Sequence, residues 1–267
     1  MTASGRARGG HFSCWASLAA RDLPAAQAFY GSVLGWEWRA DPLGEDFRIA
    51  FAGGSAVASL GACGAALQAV ACWIPFFTVP DVDETVARVH ERGGTVGVGP
   101  LSCGTGRAAL AADRDGAAFG VWARPRPAVP HGERSAPGTR ERRPAVWPLL
   151  RTRDAFAAAM FYGEVFDWAS GDDAHDGPTV AYEDPEVVVR AGGKTVVRLR
   201  GEQAKARPDP PLQPRWRLHF RVPDVDTAAA AARSAGGGVA DPPATTSTGR
   251  RAIVRDPEGS LFTVTDR

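Results

Sequence analysis

Along this chain apolar and polar residues alternate in short runs, and between those runs apolar residues recur at helical spacing. Residues 15–19 and 147–151 have strand character, and each stretch is followed by an aspartate, Asp22 or Asp154, placed to cap a helix. Phe29 and Val33, like Phe161 and Val165, stand four apart on one face of those helices. Pro24 falls in a first turn, where its missing N–H is harmless. A strand ending at Val79 leads to a second helix striped by Val82, Val86 and Val89, with Asp81 and Glu84 as a capping box and Gly93-Gly94 as its stop. Strands are expected around 95–98, 108–112 and 118–123. The clearest alternation puts Trp216, Leu218, Phe220 and Val222 on one strand face and Arg217, His219 and Arg221 on the other.

The pattern occurs twice. Arg21-Asp22, Phe29-Tyr30-Gly31, Val33 and Trp36 return 132 residues later as Arg153-Asp154, Phe161-Tyr162-Gly163, Val165 and Trp168. Trp73, Val79-Pro80-Asp81-Val82-Asp83, Gly93-Gly94, Thr105-Gly106-Arg107, Asp113, Gly116 and Phe119 return 143 residues later. Their counterparts are Trp216, Val222-Pro223-Asp224-Val225-Asp226, Gly236-Gly237, Thr248-Gly249-Arg250, Asp256, Gly259 and Phe262. Part of the added length falls in the Pro-rich, charged stretch 202–214, as a surface loop would absorb it. Residues 126–143, rich in Pro and Arg, form a linker. The expected organisation is a disordered tail at 1–8, a domain at 9–125 and a second at 144–267.

Composition narrows the field. The chain has 267 residues, 44% hydrophobic and 23% charged, with a net charge of +1. That balance gives no global reason to bind nucleic acid or an anionic membrane. Cys14, Cys63, Cys72 and Cys103 contain no Cys-x-x-Cys pair and read as buried free thiols. The first ten residues lack the apolar run of a signal peptide, and no stretch approaches the ~20 apolar residues needed to span a bilayer. A cytoplasmic monomer with its two domains packed together is expected.

The duplicated motifs, with Gly106-Arg107 before Asp113-Arg114-Asp115-Gly116 and Gly249-Arg250 before Asp256-Pro257-Glu258-Gly259, resemble the vicinal oxygen chelate superfamily, which includes glyoxalases, bleomycin-resistance proteins and extradiol dioxygenases. The resemblance implies an α+β fold. Each domain would pair two βαβββ modules into a cupped eight-stranded mixed sheet with helices outside. It also implies a divalent metal held in the cup by His, Gln or Glu. The matching positions here are Trp15 and Trp147 on the first strand, Ile74 and Arg217 before the second helix, and Gly120 and Thr263 on the last strand. None is a good ligand, so no metal or other cofactor is expected. His11, His90, His131 and His175 fall in the tail, a helix and loops, and only His219 lies near a metal position.

Strand parity suggests what the cups hold instead. In the first copy Trp15, Ser17, Ile74, Phe76, Thr78, Gly120 and Trp122 would line an apolar, aromatic cup. In the second, Trp147, Arg217, His219, Arg221, Arg251, Thr263 and Thr265 would line a basic one. Trp15, Trp122 and Trp147 are candidates for stacking on a planar ligand, or for ordinary core packing. Arg217, His219 and Arg221 are candidates for holding an anion, or for an interdomain ion-pair network. Arg107 and Arg250, shared by both copies, are read as structural.

The leading expectation is a protein that binds a small anionic or aromatic molecule in the cup, alongside Phe76, Thr78 and Thr263, without a catalytic metal. A metal-dependent lyase, isomerase or dioxygenase seeded by His219 with Glu183 or Glu186 is one alternative. The other is a non-catalytic interaction module in which one copy covers the other.

Overall fold

The local signals become real elements in the computed structural model, which describes residues 14–41, 44–62, 72–103, 106–123, 146–170, 177–183, 186–201 and 215–267. The first copy runs β1 (Cys14–Ala20), α1 (Leu23–Leu34), β2 (Glu37–Asp41), β3 (Gly44–Ala52), β4 (Ser55–Ala62), β5 (Trp73–Thr78), α2 (Val82–Glu91), β6 (Thr95–Cys103), β7 (Gly106–Ala112) and β8 (Ala118–Ala123). The second runs β9 (Val146–Thr152), α3 (Ala155–Phe166), β10 (Ala169–Ser170), β11 (Thr179–Glu183), β12 (Glu186–Ala191), β13 (Lys194–Gly201), β14 (Arg215–Arg221), α4 (Val225–Ser234), β15 (Gly238–Thr246), β16 (Gly249–Arg255) and β17 (Leu261–Thr265). The linker, the tail and Cys63 lie outside the described residues.

Each copy forms one mixed sheet. The first has strand order β2-β3-β4-β1-β5-β8-β7-β6, and the second repeats it as β10-β11-β12-β13-β9-β14-β17-β16-β15. The extra strand of the second sheet is the two-residue β10 pairing parallel to β11. At the middle of each sheet two first strands meet antiparallel, β1 with β5 and β9 with β14. Each is bordered by a parallel partner, so the two modules are related by a local twofold.

Helices α1, α2 and α3 begin on the aspartates expected of them, and α4 begins on Asp224, the repeat counterpart of Asp81. Asp22, Asp81, Asp154 and Asp224 each accept a backbone N–H three residues on, satisfying a donor the helix cannot. The capping box at Asp81 is only half formed. Glu84 donates its backbone N–H to Asp81, but its carboxylate turns away to Arg88, one turn along, at 2.7 Å. Among the described residues Cys14, Cys72 and Cys103 form no disulfide, and they are half-buried rather than buried.

The helices sit between the two sheets. One apolar core gathers α1, β1 and β4 with α4, β14 and β17, while the other gathers α2, β5 and β8 with α3, β9 and β13. Each core therefore draws residues from both copies. The two sheets also touch back to back, with Trp73 on Phe220 at 4.9 Å between ring centres and Phe77 on Trp216 at 5.5 Å. Trp216, Leu218, Phe220 and Val222 are spent on this junction, as strand parity required. The opposite faces of the sheets, the two cups, consequently point away from each other.

Candidate functional site

The structure assigns most of the repeated motifs to holding the copies together. Tyr30 of the first Phe-Tyr-Gly donates to Asp256 Oδ2 at 2.7 Å, and Tyr162 of the second donates to Asp113 Oδ2 at 2.9 Å. Trp73 and Trp216 in turn donate their indole N–H groups to those two tyrosine oxygens. The second glycine of each Gly-Gly pair admits the other copy's phenylalanine: a Cβ on Gly94 would lie 3.0 Å from Phe161, and one on Gly237 2.6 Å from Phe29. Arg107 reaches Asp83 at 2.7 Å, and Arg250 grips Asp226 with two nitrogens. These arginines are structural, tying the Thr-Gly-Arg turn to the Val-Pro-Asp-Val-Asp segment.

The first cup is built as its sequence suggests. Trp15 pairs with Phe76 across β1 and β5, Phe76 with Gly120, and Thr78 with Trp122, so all these residues share one face. Trp15 donates its indole N–H to Ser59 at 2.9 Å, and Ser59 donates to Ser17 at 3.2 Å. The Phe76 ring covers Gly120, where a Cβ would come within 2.3 Å of it, and Phe47 covers Gly61, where a Cβ would come within 2.9 Å. Thr78 is exposed at the strand end. Much of this cup is thus floored by its own aromatic rings.

The second cup is different in kind. His219 pairs with Trp147 on one side and Thr263 on the other, and Thr263 with Ile253. The Trp147 and His219 rings stack with centres 5.5 Å apart and planes 23° from parallel. The next row toward one end contains Arg198, Leu149 and Arg217; beyond it come Glu186, Arg200, Arg151 and Arg215. Toward the other end Arg221 and Arg251 flank Thr265. Arg217 and His219 are each only 8% exposed, and Thr263 is buried.

Its electrostatics follow from that layout. Burial, and then the charges of Arg217, Arg251, Arg200 and Arg198, push the His219 imidazole down to about 3, so it is neutral at physiological pH. Glu186 accepts from Arg198 at 2.6 Å and also from Arg200. Burial works to raise its carboxyl, but those two guanidinium groups outweigh it and hold the group below its ordinary value. Glu183 is ion-paired with Arg190.

Comparing the copies isolates what is special. At matching cup positions Arg151, Arg198, Arg200, Arg217, Arg221 and Arg251 stand where the first cup has Ala19, Ser59, Gly61, Ile74, Thr78 and Ala108. The same sheet is made without any of those charges, so the fold does not require them. Arg151, Arg198 and Arg200 escaped the sequence reading, although Val197 and Leu199 alternating with the last two carry the signal. Arg151 shares a strand face with Trp147, whereas the inner strand that brings Arg198 and Arg200 to the cup is not placed by one sequence.

The two copies match known domains. The glyoxalase/bleomycin resistance protein/dioxygenase superfamily matches residues 10–121, and the glyoxalase-like domain matches residues 148–265. "Putative glyoxylase CFP32" of Mycobacterium tuberculosis is 31% identical over 257 residues, covering 94% of this chain and 92% of that protein. "Anthracycline biosynthesis protein DnrV" of Streptomyces peucetius is 30% identical with the same coverage of each chain. Among solved structures, the Mn(II)-bound glyoxalase from Novosphingobium aromaticivorans aligns at a TM-score of 0.55 and 16% identity, over 94% of this chain and 80% of its own. The 2,3-dioxygenase LapB from Pseudomonas sp. KL28 aligns at 0.56 and 13%, over 94% and 90%. The fold and these matches define a two-domain glyoxalase-like protein. The chain belongs to the glyoxalase/bleomycin resistance/dioxygenase superfamily.

The cup residues do not fit the divalent metal that the superfamily implies. In the second cup the matching positions are Trp147, Arg217 and Thr263, and the imidazole beside them lies in the field of four arginines. In the first they are Trp15, Ile74 and Gly120, the last covered by Phe76. Among the described residues no three His, Cys, Asp or Glu side chains converge. No described helix is long and apolar enough to cross a membrane.

Proposed function

We propose that this protein binds a small, planar, anionic aromatic molecule in the cup of its second domain, and does so without a divalent metal. The observation that carries this reading is the set of six arginines in the second cup whose counterparts in the first are all uncharged. Guanidinium groups bind carboxylates and phosphates through paired, charge-assisted hydrogen bonds, and they do so most strongly where water is excluded. The Trp147–His219 stack beside them offers a flat face for an aromatic ring, with Thr263 as a neighbouring hydroxyl. His219, held neutral, can donate or accept one hydrogen bond without adding charge.

The first domain serves as the structural partner. Its cup is partly filled by Phe76 and Phe47, and its helices complete both cores. Relatives named for anthracycline biosynthesis make polycyclic aromatics the first compounds to try. Calorimetric titration with anthraquinone-2-carboxylate, before and after exhaustive EDTA treatment, tests the proposal. Binding that survives EDTA, weakens at least about tenfold for the neutral 2-hydroxymethyl analogue and is lost in Arg217→Met is the expected result. Equal affinity for the neutral analogue, or binding only with added metal, would refute it.

A further inference from the structure

We infer, on the reading just given, that the ligand of the second cup carries two acidic groups, one toward each end of its ring system. The arginines do not encircle the Trp147–His219 stack; they lie on two sides of it. On one side, Arg198 and Arg217 flank Leu149, with Arg200, Arg151 and Arg215 in the row beyond. On the other, Arg221 and Arg251 flank Thr265. The row between them, Trp147, His219, Thr263 and Ile253, contains aromatic, hydroxyl and aliphatic groups.

Same-face residues two apart on a strand are separated by about 7 Å, so the Arg217 and Arg221 rows stand about 13 Å apart with the stack midway. That span matches an extended bi- or tricyclic ring system lying along β14. A ligand with a single acidic group would answer one flank and leave the other's positive charge against the rim of an apolar ring. Arg200, Arg151 and Arg215 stand directly opposite one another across β13, β9 and β14, whereas Arg221 and Arg251 are separated by Thr265. On the first flank Glu186 is ion-paired with Arg198 and Arg200. In the first cup the counterparts of Arg217, Arg221 and Arg251 are Ile74, Thr78 and Ala108, so the same sheet is built with both flanks uncharged.

The test compares anthraquinone-2,6-dicarboxylate with anthraquinone-2-carboxylate by calorimetry, on the full chain and on Arg251→Gln, whose folding is checked by its melting temperature. The expected result is that the dicarboxylate binds at least about tenfold more tightly than the monocarboxylate, and that Arg251→Gln abolishes this difference. If the monocarboxylate binds, is lost in Arg217→Met, and is matched but not surpassed by the dicarboxylate, the two-acid inference is overturned while the proposed function stands. If neither acid binds, both fall. The comparison on the unsubstituted protein decides the matter even if Arg251→Gln does not fold.

Discussion

Tyr30 of the first copy donates its hydroxyl to Asp256 of the second at 2.7 Å, and the bond is buried. Tyr162 and Asp113 repeat it in the opposite sense. Each aspartate also receives backbone N–H groups through its other oxygen, from Asp115 and Ala117 or from Ser260, so a single carboxylate fastens its own turn and the neighbouring copy.

Removing one of these hydroxyls leaves a buried carboxylate oxygen and an indole N–H without their partner. Tyr30→Phe and Tyr162→Phe should each lower the free energy of unfolding by about 1–3 kcal/mol, the usual cost of orphaning a buried polar group. The two bonds share no partner, so the double variant should lose close to the sum. Urea denaturation of the four proteins would check both statements; a loss below about 0.5 kcal/mol in each single variant would contradict this role for the bond.

Burial raises the carboxyls of Asp113 and Asp256 above their ordinary value of 3.8, against the pull of their hydrogen bonds. The folded protein therefore holds these protons when the unfolded chain has released them. The contribution to stability is full below 3.8 and is lost as pH rises through the raised values. His219 acts in the opposite direction. With its folded value near 3 against 6.5 when unfolded, it contributes stability above 6.5 that is lost as pH falls toward 3. Replacing His219 with Asn should flatten the stability profile between those limits. In NMR titration its imidazole should remain neutral at pH 5, where an exposed histidine is protonated.

Gly94 and Gly237 are places where one copy's backbone meets the other's aromatic ring. A Cβ on Gly237 would lie 2.5 Å from the Arg255 carbonyl oxygen and 2.6 Å from Phe29. Gly237→Ala and Gly94→Ala should each cost about 1–3 kcal/mol through overpacking. Gly238→Ala, one residue further on and with open space around its Cβ, should change little. Thermal melts of the three variants separate the close approach from a general effect of glycine.

The two cups can be interconverted one position at a time. Gly120→Thr, which imports the residue found at 263, would drive a Cβ to 2.3 Å from the Phe76 ring and should destabilise the first domain by about 1–3 kcal/mol. Exchanging Phe76 for His in the same protein recreates the His219–Thr263 pair and should recover most of that loss. A double-mutant cycle with a coupling above about 0.5 kcal/mol is the expected outcome.

Much of this protein was legible in its residue order. The duplication, the capped helices and the two faces of 216–222 were all recoverable because hydrogen-bond satisfaction and burial impose local, periodic rules. The metal positions, placed through the family resemblance, fell on Trp15, Trp147, Ile74, Arg217, Gly120 and Thr263, and the structure puts those residues on the cup faces of their strands. Arg217, His219, Thr263 and Trp147 were named as a candidate group, and they are neighbours in space. Arg221 and Thr78 lie further out, at strand ends.

Pairing across distant strands was not recoverable. Nothing in residues 194–201 states that Arg198 and Arg200 will stand beside β9, because strand partners are chosen by the global arrangement of modules rather than by neighbouring residues. The same holds for the shared motifs: Tyr30, Phe29, Gly237 and Asp256 act between copies, which a repeat along one chain does not state. Local sequence thus determined which surfaces each element would bury and which it would expose. Only packing decided that the apolar faces would be covered by the other domain, leaving the charged face of β14 as the wall of an outward-facing cup.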